Sequence, residues 1–148
     1  MKLSLFRIFT IILLMMPALL FAGNKYSVKS GPWNDPSLWS PAGIPSYTDD
    51  VHLMHGHIVT ISTGLYAANA IHIRKNAVLQ LSQGVLLMIK ALLHVNGEVN
   101  MNNGDINAEP GLQFILGDSS VFKWEPGNNS ASGASLFNNA IESFSPAS

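Results

Sequence analysis

The chain carries five histidines, His52, His55, His57, His72 and His94. Three of them sit at the centre of apolar-x-apolar triplets: Val51-His52-Leu53, Ile71-His72-Ile73 and Leu93-His94-Val95. The triplets start 20 and 22 residues apart. If they stack at the ~4.8 Å spacing of neighbouring strands, His52, His72 and His94 form a column. Such a column could hold Zn²⁺ or a similar ion, since imidazole is the commonest metal ligand. It could also act as a pH-sensitive stripe, because imidazolium charges repel below roughly pH 6. The plainer role is that of polar residues on the outward side of a strand. A catalytic metal site would also want a nearby carboxylate and an open position. None converges on these histidines, so no metal or other cofactor is expected. His57 follows Gly56 and is expected to fix that corner by hydrogen bonding.

The acidic residues give no stronger lead. Asp49 and Asp50 are adjacent and could begin a Ca²⁺ site, but Ca²⁺ takes six to eight oxygens. An Asx-type turn that starts the next strand is the better expectation. Hydrolysis of a glycosidic bond commonly needs two carboxylates at a defined separation. Glu98, Asp105, Glu109 and Asp118 are scattered. Arg74, beside Lys75, is the only arginine beyond residue 22. No nucleophile-elbow pattern is present. Cysteine is absent, which excludes disulfides, thiolate metal sites and a Cys nucleophile. The residues therefore point to no catalytic set, and the chain is expected not to be an enzyme.

The triplets imply their own framework. Period-2 apolar spacing sends alternate side chains to one face of a strand. A second series, Val59-Thr60-Ile61, Leu79-Gln80-Leu81 and Val99-Asn100-Met101, recurs at intervals of 20. Gly56, Asn76 and Gly97 lie between the paired triplets. Gly and Asn tolerate a left-handed backbone, so each reads as a corner. Units of 20–22 residues are too short for a strand–helix–strand crossover, which needs about 30. They fit the coils of a short parallel β-solenoid, an all-β fold. Leu87 and Ile89 suggest an extra strand, and Leu112, Phe114, Leu116, Val121, Phe122 and Trp124 a fainter further coil. The rival is an antiparallel sandwich with hairpins at Asn96-Gly97 and Asn103-Gly104. The spacing of like with like favours the solenoid.

Four regions follow. Residues 1–22 join Lys2 and Arg7 to an apolar run broken by Pro17 and end on Ala22, the pattern of a secretory signal. The stretch from Ile8 to Met16 is too short to span ~30 Å of hydrocarbon. Residues 23–50 are rich in Pro and Trp, and Trp33 and Trp39 are expected to cover the first coil. Their alternative is a pair of exposed platforms for sugars. Residues 51–124 form the coils, and residues 125–148 an Asn/Ser/Gly-rich tail that reads as truncated. The 148 residues have a net charge of -1. With no basic surplus, nucleic acid is not expected as a partner.

Residues 30–62 resemble a recurrent module of large exported bacterial surface proteins, often those using type IX secretion. The resemblance rests on Gly31, Trp33, Pro36, Trp39, Pro45, Asp49, Asp50, Val51, Leu53, Gly56, His57, Val59 and Ile61. It extends loosely to about residue 107, and more distantly to the eight-glycine extracellular domain. It implies a structural role for Trp33, Trp39, Asp49, Asp50, Gly56, His57 and Gly97, and downstream modules of a longer surface protein as partners. The expectation is a secreted or cell-surface, non-enzymatic, adhesion-type module, not membrane-spanning after signal removal. The alternative is a carbohydrate-binding or carbohydrate-active β-helix, with extracellular polysaccharide as partner and most of its site downstream.

Overall fold

A computed structural model describes residues 23–123. The signal expected at residues 1–22, Trp124 and the tail at 125–148 lie outside the described residues. Twelve strands follow in order. They are β1 (Asn24–Ser27), β2 (Gly31–Pro32), β3 (Trp39–Ser40), β4 (Asp50–Leu53), β5 (Ile58–Ile61) and β6 (Leu65–Ile73), then β7 (Val78–Leu81), β8 (Leu86–Val95), β9 (Glu98–Asn100), β10 (Asp105–Ala108), β11 (Gln113–Leu116) and β12 (Val121–Lys123). A short 3₁₀ turn, Pro36–Leu38, precedes β3, and Asp35 caps it by accepting from Ser37 N at 2.8 Å.

The strands stack as a parallel β-solenoid of about four turns. On the first face β1 pairs with β4, β4 with residues 70–73 of β6, these with residues 92–95 of β8, and these with β11. On the second face the order is β2, β5, β7, β9, β12. A third face stacks residues 65–68 of β6, residues 86–89 of β8 and β10. Both long strands therefore bend around a corner and serve two faces. Inward residues of all three faces meet in one core that includes Val51, Leu53, Ile71, Leu79, Leu87, Ile89 and Leu93, all fully buried. Burial of aliphatic side chains, at roughly 25 cal/mol per Å², contributes most of the stability in a chain without disulfides.

The triplet columns fall in register. His52 pairs with His72 and His72 with His94; Thr60 pairs with Gln80 and Gln80 with Asn100. The two extra residues in the 22-residue interval are absorbed at corners. One lies in the turn before β8, and one lies at Lys90-Ala91, where the coil below has Asn69 alone. Corner length varies while the inward positions hold their columns.

Two details differ from expectation, and the hairpins of the rival fold are absent. The first coil begins within the stretch assigned to the cap, because β1 and β2 already pair in parallel with β4 and β5. Asn96-Gly97 makes no hairpin: β8 and β9, which it joins, pair with β6 and β7 below. Asn103-Gly104 likewise joins β9 to β10, which stacks on β8. Finally, Gly56 and Asn76 do turn through left-handed backbone, with φ of 77° and 60°, whereas Gly97 does not. Gly97 meets a different demand. A Cβ there would lie 2.3 Å from the Ala77 carbonyl oxygen and 2.5 Å from that of Arg74. Its corner has two residues where the one beneath has four, Arg74 to Ala77, so the chain crosses directly over the backbone below.

The start of the solenoid is covered. β3 pairs antiparallel with the outer edge of β1, and Trp33, Leu38 and Trp39 are buried against the first coil. No described strand pairs with the outer edges of β10, β11 or β12.

Candidate functional site

The chemistry-bearing residues concentrate on the first face, where parallel pairing at one position per coil brings Tyr26, His52 and His72 face to face. Tyr26 stacks on His52 with ring centroids 4.7 Å apart and planes at 14°. His52 stacks on His72 at 4.5 Å and 7°. His94 turns edge-on to His72, at 5.9 Å and 77°. Ile115 continues the column on β11.

This geometry decides what the column can do. Imidazole lone pairs lie in the ring plane. Rings stacked nearly parallel therefore aim their nitrogens side by side and not at a common point. Among the described residues no group of three or more His, Asp or Glu side chains is placed to hold a metal ion. His52 is also less outward than its strand position implies, being 9% exposed. Its Nε2, as the protonated nitrogen, donates to Asn24 Oδ1 at 3.1 Å. Its Nδ1 is buried without a partner.

Burial holds His52 below the ordinary imidazole value of 6.5, and the charges of His72 and Arg74 push the same way against Asp50. His72 is lowered likewise, first by burial, then by His94 and Arg74, again opposed by Asp50. The sign of the consequence follows from linkage. As pH falls through 6.5, unfolded imidazoles take up protons that these two folded rings resist. The unfolded chain then binds more protons, so stability falls. The contribution of these rings is fully present above 6.5 and is lost as pH drops through their lowered folded values. Urea midpoints should therefore be lower at about pH 5 than at about pH 7.5, and a His52→Gln, His72→Gln variant should flatten that slope. An unchanged slope in the variant would assign the pH dependence elsewhere.

The remaining candidates are engaged separately. His57 sits past the Gly56 corner, and its Nδ1 shares a hydrogen bond with Ser27 Oγ on the preceding coil at 2.8 Å. Ser27 Oγ in turn accepts from Met54 N at 2.8 Å. Ser27 is buried at 2% exposure, so its hydroxyl links two coils and faces no open cleft. Ser27→Ala would leave both groups unpaired and should cost about 1–3 kcal/mol in chemical denaturation. His57→Ala should cost less, because Met54 N keeps its partner; the reverse order would refute this account.

Asp49 and Asp50 point to different duties. Asp49 accepts from Gly23 N at 3.1 Å through Oδ1, and from Ser46 N and Ser46 Oγ at 2.8 Å each through Oδ2. Asp50 Oδ1 accepts from Asn69 Nδ2 at 2.7 Å. The turn at residues 46–49 is closed by Asp49 N donating to Ser46 O. Glu98 is paired with Lys123 at 2.9 Å, and Glu109 accepts from the Tyr47 hydroxyl.

Trp33 and Trp39 are buried at 1% and 2% exposure. Their rings meet edge to face at 5.1 Å, and Trp39 Nε1 donates to Trp33 O at 2.9 Å. Neither offers a face to a sugar. A cavity of about 20 Å³ beside Trp33, lined by Asn34, Thr60, Ser62, Thr63 and Tyr66, has room for a water-sized group and none for a saccharide ring.

Sequence reasoning missed Asn24, Tyr26 and Ser27. Only Ser27 of β1 is buried, so the strand shows no apolar alternation. The one available signal was Tyr26 and Val28 flanking a small polar residue, a weak pattern by itself. Among the described residues no helix is long and apolar enough to cross a membrane. Comparison with family models, with curated proteins and with solved structures finds no match to this chain.

Proposed function

We propose that this chain is an exported, non-enzymatic structural module, the leading coils of a secreted or cell-surface protein of adhesion type. Its mechanism is presentation: a rod held by core packing and ladder hydrogen bonds positions downstream modules away from the cell. The observation that carries this reading is the polarity of the stack. Its first coil is covered by β3 and the two tryptophans, while no described strand closes the other end. In this reading the outer edges of β10, β11 and β12 are where further coils of a longer protein would add in the same register. The resemblance of residues 30–62 to surface-protein modules supports export and the structural role of the motif residues. The absence of cysteine suits a rod that must keep its fold in either redox environment.

Fractionation of producing cells tests the location. The protein should appear outside the cytoplasm, and its melting temperature should not change with reductant. Incubation with a panel of polysaccharides should release no reducing or unsaturated ends, and a glycan array should stay flat. Retention in the cytoplasm would refute the export reading. Saccharide cleavage would refute the non-enzymatic one, and specific glycan binding would favour a carbohydrate-binding β-helix.

A further inference from the structure

We propose that the Ala22–Gly23 bond is a processing site, and that the α-ammonium released at Gly23 is captured by the Asp49 carboxylate, locking the first coil. The proposal rests on the export reading above and adds a defined bond and a defined acceptor.

The starting point is the carboxylate of Asp49. This residue is 7% exposed, and the donors on its carboxylate are Gly23 N, Ser46 N and Ser46 Oγ. Among the described residues the ion pairs join Lys29 to Asp35 and Lys123 to Glu98. No cation among them reaches Asp49. A cation added to such a hydrogen-bonded carboxylate turns a neutral contact into a stronger, charge-assisted one. Hydrolysis after Ala22 supplies one in place. Water adds across the peptide bond: its hydroxyl goes to the Ala22 carbonyl carbon, one proton goes to the Gly23 nitrogen, and the C–N bond breaks. The new amine takes a further proton from solvent at neutral pH and becomes an ammonium. That charge then sits 3.1 Å from Asp49 Oδ1, where the Gly23 nitrogen already lies.

The local geometry suits capture. Gly23 is held on its other side as well, its carbonyl accepting from Asp50 N at 2.8 Å, the first rung before the ladder of β1 on β4. The turn at residues 46–49 holds the opposite carboxylate oxygen, so Asp49 is fixed before the ammonium arrives. Ala22 is the small residue that an export peptidase accepts before its cut. An ion pair here ties the start of the processed chain to the turn that leads into β4.

The test uses the full precursor, expressed in a secreting bacterial host and recovered outside the cytoplasm. Intact mass should correspond to a chain starting at Gly23. Acylation by an activated ester at about pH 8, followed by peptide mapping, then reads the availability of the Gly23 amine. In the folded protein the amine should react about tenfold more slowly than in concentrated urea, the factor produced by one pKa unit of preference for the charged form. Asp49→Asn is nearly isosteric, so it keeps any steric shielding but removes the charge; its amine should react as fast as the unfolded one. Ser46→Ala keeps the carboxylate and should keep the protection. If the Asp49 variant does not fold, labelling of the parent between about pH 7 and about pH 10 decides: capture confines the protection to the lower pH, where the amine is charged, whereas steric shielding persists throughout. Retention of residues 1–22 would overturn the export reading and the proposal with it. Cleavage at another bond would leave export standing and overturn this site. Cleavage at Gly23 with equal labelling in folded protein and urea, or with protection that survives in Asp49→Asn, would overturn the capture.

Discussion

Gly97→Ala should abolish cooperative folding, or lower the melting temperature by about 15–25 °C, a loss of about 4 kcal/mol. The added methyl would stand 2.3 Å and 2.5 Å from two carbonyl oxygens and 2.9 Å from Ile73 Cγ2. Two of those three atoms are backbone, which cannot rotate away. The corner cannot lift either. Asn96 N donates to Ile73 O and Glu98 N to Ala77 O below it, and Gly97 O accepts from Val121 N above. Any shift breaks the ladder on both sides. Gly56→Ala is the control. That residue turns at a φ of 77° with open space around the position of a Cβ, so it should cost only the left-handed strain, about 1–2 kcal/mol. A thermal melt of Gly97→Ala within about 5 °C of the parent would show that the close crossing does not constrain the fold.

Trp39→Ala should be the second largest loss, about 3–5 kcal/mol by urea denaturation. It removes one of the two indoles buried over the first coil, the edge-to-face contact with Trp33 and the hydrogen bond to Trp33 O. Trp39→Phe separates the contributions. It retains an aromatic ring and loses the indole donor, so about 1–2 kcal/mol is expected, set by the carbonyl left without its partner. If alanine and phenylalanine cost the same, the stabilisation at this position would come from the hydrogen bond and not from the packing. Near-ultraviolet circular dichroism should lose the signal of the paired indoles in both variants.

The part of the fold that was legible in the sequence is the part built from aliphatic triplets. Val51, Leu53, Ile71, Ile73, Leu93 and Val95 point inward at fixed spacing, and the stacking of one coil on another follows from that spacing. The third face was legible only at Leu87 and Ile89. Its other coils bury Ala68 with a partly buried Tyr66, and Ile106 with Ala108, and alanine and tyrosine do not register as an apolar alternation. The first coil was hidden for a related reason: β1 offers one buried side chain, a serine. Of the site, the register of His52, His72 and His94 was readable, but ring orientation was not. Spacing gives the position of a Cα along the strand, and nothing in it distinguishes nitrogens that converge from rings that stack. Gly97 shows the same limit from the backbone side. A glycine in a corner invites a left-handed reading, and only the closeness of the coil beneath reveals the steric one.

The direction of the ladder hydrogen bonds has a mechanical consequence. On all three faces they run from coil to coil, along the stacking axis. A pull on the two ends of the stack therefore loads the coils in series, like links, and not side by side. The least stable coil opens first while its neighbours hold. Each opened coil of about 20 residues releases about 65–70 Å of extended chain. Under tension such a rod would lengthen in discrete steps and dissipate work at each one, and its coils would restack when the load is removed.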